Sequence, residues 1–431
     1  MIKINPNFKK ILKYIPIAFI VFLLIIIIIN KFKNYNYSVN TQIKVTENGE
    51  IDLSNITSAK GVNIPKTIHN GIDLWNLTSA EGLKLPKSIN GPLHLNSVSS
   101  PKGLRLPEII NGDLNLSSLV SAKGIKFPEI IGGDLWLSDL VSIEGLKLPK
   151  TISGTLYLYG LTSAKGLILP RIIGGDLYFS YLISANGVKF PETIGGNLEL
   201  NGLTSTEGLV LPKTIGAGLY LEKITFVDNF NLPDAIYGNL YLKSLISAKG
   251  LTLPKTIGGD LDLSSLTSDE NLVLPETING NLFLNSLMVI NNLKFPRVMN
   301  RSIYLYSLTL ARGVNFPKTI DGGLYLKKLT SVDGIIFPET IGGDFDLNSL
   351  MSAKGLVLPK TIGGDLDLSS LISAKGLVLP NNIAGDLYLN GLTTVKGLNF
   401  TGTIDGSIYL DNISSKEKEY LVEKYPNLKI R

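Results

Sequence analysis

"GGDLDLSSLISAKGLVLP" spans residues Gly363–Pro380, and the chain has written it before. "GGDFDLNSLMSAKGLVLP" occupies Gly342–Pro359, and "GGDLDLSSLTSDENLVLP" occupies Gly258–Pro275. The first two are offset by 21 residues, and stepping by 21 from Pro65 meets sixteen prolines in succession, ending at Pro380. No insertion or deletion interrupts them. A fixed period of this size marks a stacked array, in which each unit buries its apolar side only against its neighbours.

Counting from each proline as position zero shows what the unit is made of. Position 3 is Ile from Ile68 to Ile404, except at Met299, and position 9 is Leu except at Phe179. Position 7 is Leu, Ile or Phe, position 12 is aliphatic, and positions 18 and 20 are apolar, with Phe at Phe127, Phe190 and Phe337. The alternation at 7 and 9, and again at 18 and 20, predicts two short strands with one buried face each. No window supplies the spacing of three and four that a helix needs, so the unit is all-β.

Position 17 is Gly in fourteen copies and Asn in three, Asn229, Asn271 and Asn292. Those two residue types tolerate positive φ best, so the position is predicted to be left-handed. Position 5, Gly in most copies (Gly91, Gly259, Gly364), takes the same reading. The proline fixes φ and removes a donor where the second strand ends. With a first copy at Ile51 and Leu53 that lacks the proline, eighteen coils result. Stacked at ~4.8 Å they give a rod or arc roughly 85 Å long.

The predicted organisation has four parts. Residues 1–30 hold a stub and an apolar run from Ile15 to Ile29, preceded by Lys3, Lys9, Lys10 and Lys13. Fifteen helical residues reach about 22 Å, short of a ~30 Å hydrocarbon core, but Ile11, Leu12 and Tyr14 extend the run if Lys13 snorkels. The run ends in "NKFKNYNYS" (30–38) with no A-x-A cleavage pattern. We read it as an uncleaved transmembrane anchor in preference to a cleaved signal peptide. The lysine excess before it places the amino end in the cytoplasm and the repeats outside a membrane. Residues 31–44 form a linker and 45–413 the solenoid. Residues 414–431 form a cap, in which Ser414 and Glu417 make a capping box for a helix of about ten residues ending near Lys424.

Composition excludes several functions. There is no cysteine, and His69 and His94 are the two histidines. Residues 1–44 carry seven lysines and no acid, whereas residues 45–413 hold 29 Lys and Arg against 33 Asp and Glu. The body is mildly acidic, so no nucleic-acid partner is expected. No Gly-rich phosphate loop opens a helix, no His/Cys metal set exists and no nucleophile–base pair can be assembled. We therefore expect neither catalysis nor a cofactor.

The stretch "LVLPKTIGGDLDL" (356–368) resembles the short bacterial leucine-rich repeats with an "LP" corner, and related right-handed β-solenoids. The strand pair and Gly corners are also similar to the L domains of cell-surface receptors. The resemblance covers about residues 45–413 and implies a binding scaffold. One departure stands out: where leucine-rich repeats place a ladder Asn, this chain has Leu266, Leu350 and Leu371.

Position 8 lies between inward leucines and so points outward. It is aromatic at Trp136, Tyr157, Tyr178, Tyr220, Tyr241, Phe283, Tyr304, Tyr325, Tyr388 and Tyr409. It is acidic at Asp52, Asp73, Glu199, Asp262, Asp346 and Asp367, and Trp75, Tyr159 and Tyr306 add aromatics at position 10. Such a column either stabilises neighbouring strands or forms a face that binds a protein or glycan. Asp344, Asp346, Asp365 and Asp367, with Asp386 next, are the one place where a Ca²⁺ site or a carbohydrate-active β-helix arises as a reading. The plainer reading, a solvated acidic edge, is favoured there because no Arg or His accompanies them. A spacer rod without a ligand is the other alternative.

Overall fold

The computed structural model describes residues 44–431, Asn229 excepted, as a regular β-solenoid of about eighteen turns with one short helix at its carboxy-terminal end. The anchor and most of the linker lie outside the described residues. Among the described residues no helix is long and apolar enough to cross a membrane.

Each coil contributes a short strand at positions 7 and 8 to a parallel front sheet, extended to Ser407–Tyr409 in the last coil. Residues pair with their counterparts 21 further on, as Leu156 with Leu177 and Tyr157 with Tyr178. The sheet has 20 strands. Eighteen come from the coils, Lys44–Val45 pairs antiparallel at one end, and Lys429–Ile430 pairs parallel at the other. Both terminal strands cover an edge that would otherwise offer unpaired backbone groups. The predicted helix spans Ser415–Lys424 with the expected capping box, and the strand behind it is an addition to the predicted cap.

The second strand is not where the alternation placed it. A 16-stranded sheet is built from positions 2 and 3, from Ser88–Ile89 to Thr403–Ile404, immediately after the proline. The segment at 18–20 pairs as strands in two places, Phe230–Asn231 with Leu251–Thr252 and Val314–Asn315 with Ile335–Ile336. It runs into a proline that lacks a donor and restricts the residue before it, so it rarely completes a ladder. Its apolar alternation still turns side chains inward, as at Leu104 and Leu167.

The core is a set of aliphatic columns. Ile89, Leu93, Leu95 and Val98 in one coil are wholly buried, and so are Ile152, Leu156, Leu158 and Leu161 in another. Position 15 adds a buried column that the strand alternation does not reveal, with Ala at Ala122, Ala164 and Ala374.

The two glycine positions differ in kind. Position 17 is left-handed, with φ from 62° at Gly313 to 89° at Gly397, and Asn271 and Asn292 stand at 63° and 62°. Position 5 is not left-handed in the coils that carry the proline, contrary to the expectation. A Cβ on Gly364 would collide with the Asp344 carboxylate of the preceding coil, and one on Gly259 with the Asn239 side chain. Glycine is required there by close approach of successive coils.

Candidate binding face on the front sheet

Three columns of side chains emerge on the front sheet, from positions 6, 8 and 10. Position 8 holds the ten predicted aromatics, and every one is half-buried. Their rings are drawn together by the strand spacing. Trp136, Tyr157 and Tyr178 form one stack, with centroids 5.1 and 5.2 Å apart and planes within 8° of parallel. Phe283, Tyr304 and Tyr325 form a second, at 4.7 and 4.8 Å. Tyr388 and Tyr409 stack at 4.8 Å, whereas Tyr220 and Tyr241 meet edge to face. Tyr159 and Tyr306 lean against these stacks from position 10, and Trp75 stays 51% exposed.

Position 6 carries a feature that the strand pattern did not reveal. It holds Asp, Asn, Ser or Thr in most coils, and from Asp113 to Asp386 each such side chain accepts a hydrogen bond from the position-6 backbone N–H of the next coil. Asp134 N–H donates to Asp113 (2.8 Å), Thr155 N–H to Asp134 (2.8 Å), and Asn197 N–H to Asp176 (2.6 Å). The series resumes from Asn239 through Asp260 and Asn281 to Ser302. This polar ladder runs along the start of the strand, at the end opposite the leucines of position 12 such as Leu266, Leu350 and Leu371. Its signal was the restriction of position 6 to short acceptor side chains.

The ladder accounts for the aspartate cluster. Asp344 accepts from Asp365 N–H (3.0 Å), Asp365 from Asp386 N–H (2.7 Å) and Asp386 from Ser407 N–H (2.7 Å). Asp346 and Asp367, two residues further along the strand, each accept from a backbone N–H two residues later, Asn348 and Ser369. One oxygen of each carboxylate is therefore engaged locally. Among the described residues no group of three or more His, Cys, Asp or Glu is arranged to hold a metal ion.

The second ladder oxygen faces the rings. Tyr178 donates its hydroxyl to Asp176 (2.8 Å) and Tyr325 to Asp344 (3.1 Å), with longer contacts from Tyr241 to Asp260 and Tyr388 to Asp386 (both 3.4 Å). Burial, and then the nearby carboxylates, raise these phenols: Tyr241 is pushed up to about 12, and Tyr325 also lies well above its ordinary value. Asp346 is raised too, first by burial and further by the neighbouring Asp367.

The face is strongly anionic. Across eighteen coils, positions 6, 8 and 10 hold sixteen carboxylates against two lysines, Lys243 and Lys327. Positions 16, 19 and 1, on the loop side of each coil, hold 24 Lys and Arg against twelve acids. Six exposed ion pairs join coils there, such as Lys123–Glu144 at 2.6 Å and Lys360–Glu339 at 2.9 Å. Exposed pairs of this kind stabilise little, so the loop side is a solvated surface.

Compared with known proteins, the chain matches no family model, no curated protein and no solved structure.

Proposed function

We propose that this chain is a membrane-anchored recognition module and that the front sheet docks a protein partner. The observation that carries this is the row of half-exposed Tyr, Trp and Phe side chains along one sheet face. Aromatic side chains of this kind give large contact area with polar tips and are enriched where proteins bind one another. A glycan is the less favoured ligand. Sugars stack on free ring faces, and within the stacks of Trp136–Tyr178 and Phe283–Tyr325 those faces are turned to each other. The anchor rests on the apolar run Ile15–Ile29 and its flanking lysines, which would hold the amino end in the cytoplasm and present the solenoid outside. Kinship with bacterial leucine-rich repeats belongs to the same proposal and is supported by the leucine columns and "LP" corners.

A second reading, a spacer rod, is favoured by the hydroxyl contacts that tie Tyr178 and Tyr325 to the ladder, since these also serve coil-to-coil cohesion. Arrays of surface proteins and glycans probed with the full chain separate the two. Protein partners captured by the wild type and lost by Y304A/Y325A/Y388A, at unchanged β-sheet circular dichroism, are the expected result. Equal capture by both forms removes the aromatic face, and capture of glycans alone removes the protein partner.

A further inference from the structure

The chemistry of the partner can be taken further, on the reading that the front sheet is the docking face. Its carboxylates are not spread evenly. The position-8 column runs Asp262, Phe283, Tyr304, Tyr325, Asp346, Asp367 and Tyr388, so an aromatic block is bounded by acids on both sides. Ladder carboxylates Asp260, Asp344 and Asp365 flank the same block. Asp346 and Asp367 are direct partners in the parallel register, side by side with no cation in their own column. Like charges so placed repel, and an added cation relieves the repulsion.

One cation of the chain shows how the face receives such a group. Lys327, at position 10, holds its ammonium 4.6 Å from the centre of the Tyr306 ring, and its charge acts on Asp346. A lysine here thus uses an aromatic ring and a carboxylate together. No other lysine occupies positions 6, 8 or 10 between Asp260 and Tyr409.

We propose that the front sheet between Asp262 and Tyr388 docks a lysine- or arginine-rich segment of its protein partner. The cations lie between the acid pairs, and their aliphatic stems lie along the ring edges of Phe283, Tyr304 and Tyr325. The charge complementarity sets the orientation, because the loop side, with its cationic excess, repels the same segment.

The test uses the full chain and an octalysine peptide, with octaglutamate as the opposite-sign control. Octalysine binds at low salt and is released at about 1 M salt, where the Debye length falls to ~3 Å. D346N/D367N keeps the acceptors that Asn348 and Ser369 use and removes both charges, and it weakens binding about tenfold, the scale of two partly screened charge contacts. Two loop-side changes, E207Q/E270Q, leave binding unaltered. Equal affinity for D346N/D367N and the wild type overturns the proposal, as does the absence of octalysine binding at low salt. Should that happen while a partner captured on the arrays is still lost by Y304A/Y325A/Y388A, the cationic chemistry fails and the docking face stands. Loss of both removes the face itself.

Discussion

Gly376 and Gly364 sit twelve residues apart in sequence and are needed for opposite reasons. Gly376 has φ 83° with open space where a Cβ would go, so its demand is conformational. Alanine there costs about 1–2 kcal/mol from the left-handed backbone alone, and asparagine costs less, as Asn271 and Asn292 show in the same column. Gly364 has ordinary φ but no room, because a Cβ meets the Asp344 side chain and backbone. Alanine there separates two coils and is the more damaging change, with asparagine no remedy. Urea denaturation of G376A, G376N, G364A and G364N measures the contrast; equal losses for the two alanine variants would refute it. The ladder makes a similar distinction. Asp365→Asn keeps an acceptor for Asp386 N–H, whereas Asp365→Ala leaves that donor unpaired, at a cost of about 1–3 kcal/mol.

Among the elements, the carboxy-terminal helix is the one whose attachment depends on pH. Glu417 closes the capping box with Ser414 and also accepts from Thr394 Oγ (2.7 Å) and Val395 N–H (3.2 Å) of the last full coil. The Thr394 hydroxyl, followed by Ser414, holds the carboxyl down at about 2, below its ordinary 4.5. A depressed folded pKa means that the contribution is complete above 4.5 and is lost as pH falls from there through about 2. Hydrogen exchange at Val395 and along Ser415–Lys424 is expected to quicken over that window, and E417Q to abolish the pH dependence. The front sheet has the opposite signature. Tyr241 has its phenol raised from 10.0 to about 12, first by burial and then by Asp260. Its contribution is complete below pH 10 and is lost as pH rises toward 12. Y241F flattens that part of an alkaline unfolding curve.

At the scale of the whole molecule, eighteen near-identical units make stability a sum of coil terms and coil–coil interfaces. Every strand of the front sheet pairs only with the strands before and after it, so local damage stays local and an end is where opening begins. Deleting Lys429–Arg431 uncovers the Ser407–Tyr409 strand, and the variant is expected to associate end to end, read as a concentration-dependent increase in mass by light scattering. A maximum dimension of about 85 Å for the described array, from the strand spacing, is checked by small-angle scattering.

The period, the buried columns at 3, 7, 9 and 12, the left-handed position 17 and the capping box at Ser414 were all legible in the chain. Each is either local or repeated often enough that the repetition itself exposes it. The second strand was misplaced to 18–20, because apolar alternation marks which side chains turn inward and says nothing of whether a ladder closes before a proline. Asp365 and Asp367 look alike in "GGDLDL", yet one is a rung of the ladder and the other supports a turn. What separates them is the stacking of one coil on the next, which brings Asp386 N–H to Asp365 and leaves Asp367 to Ser369. The same stacking drew eight of the ten aromatics into face-to-face ring stacks, set Tyr220 edge to face with Tyr241, and tied hydroxyls such as those of Tyr178 and Tyr325 to the ladder. The sequence determined which residues repeat and which face they share. Only the tertiary structure, through contacts made 21 residues apart, decided which of the shared groups bond to each other and which stay exposed.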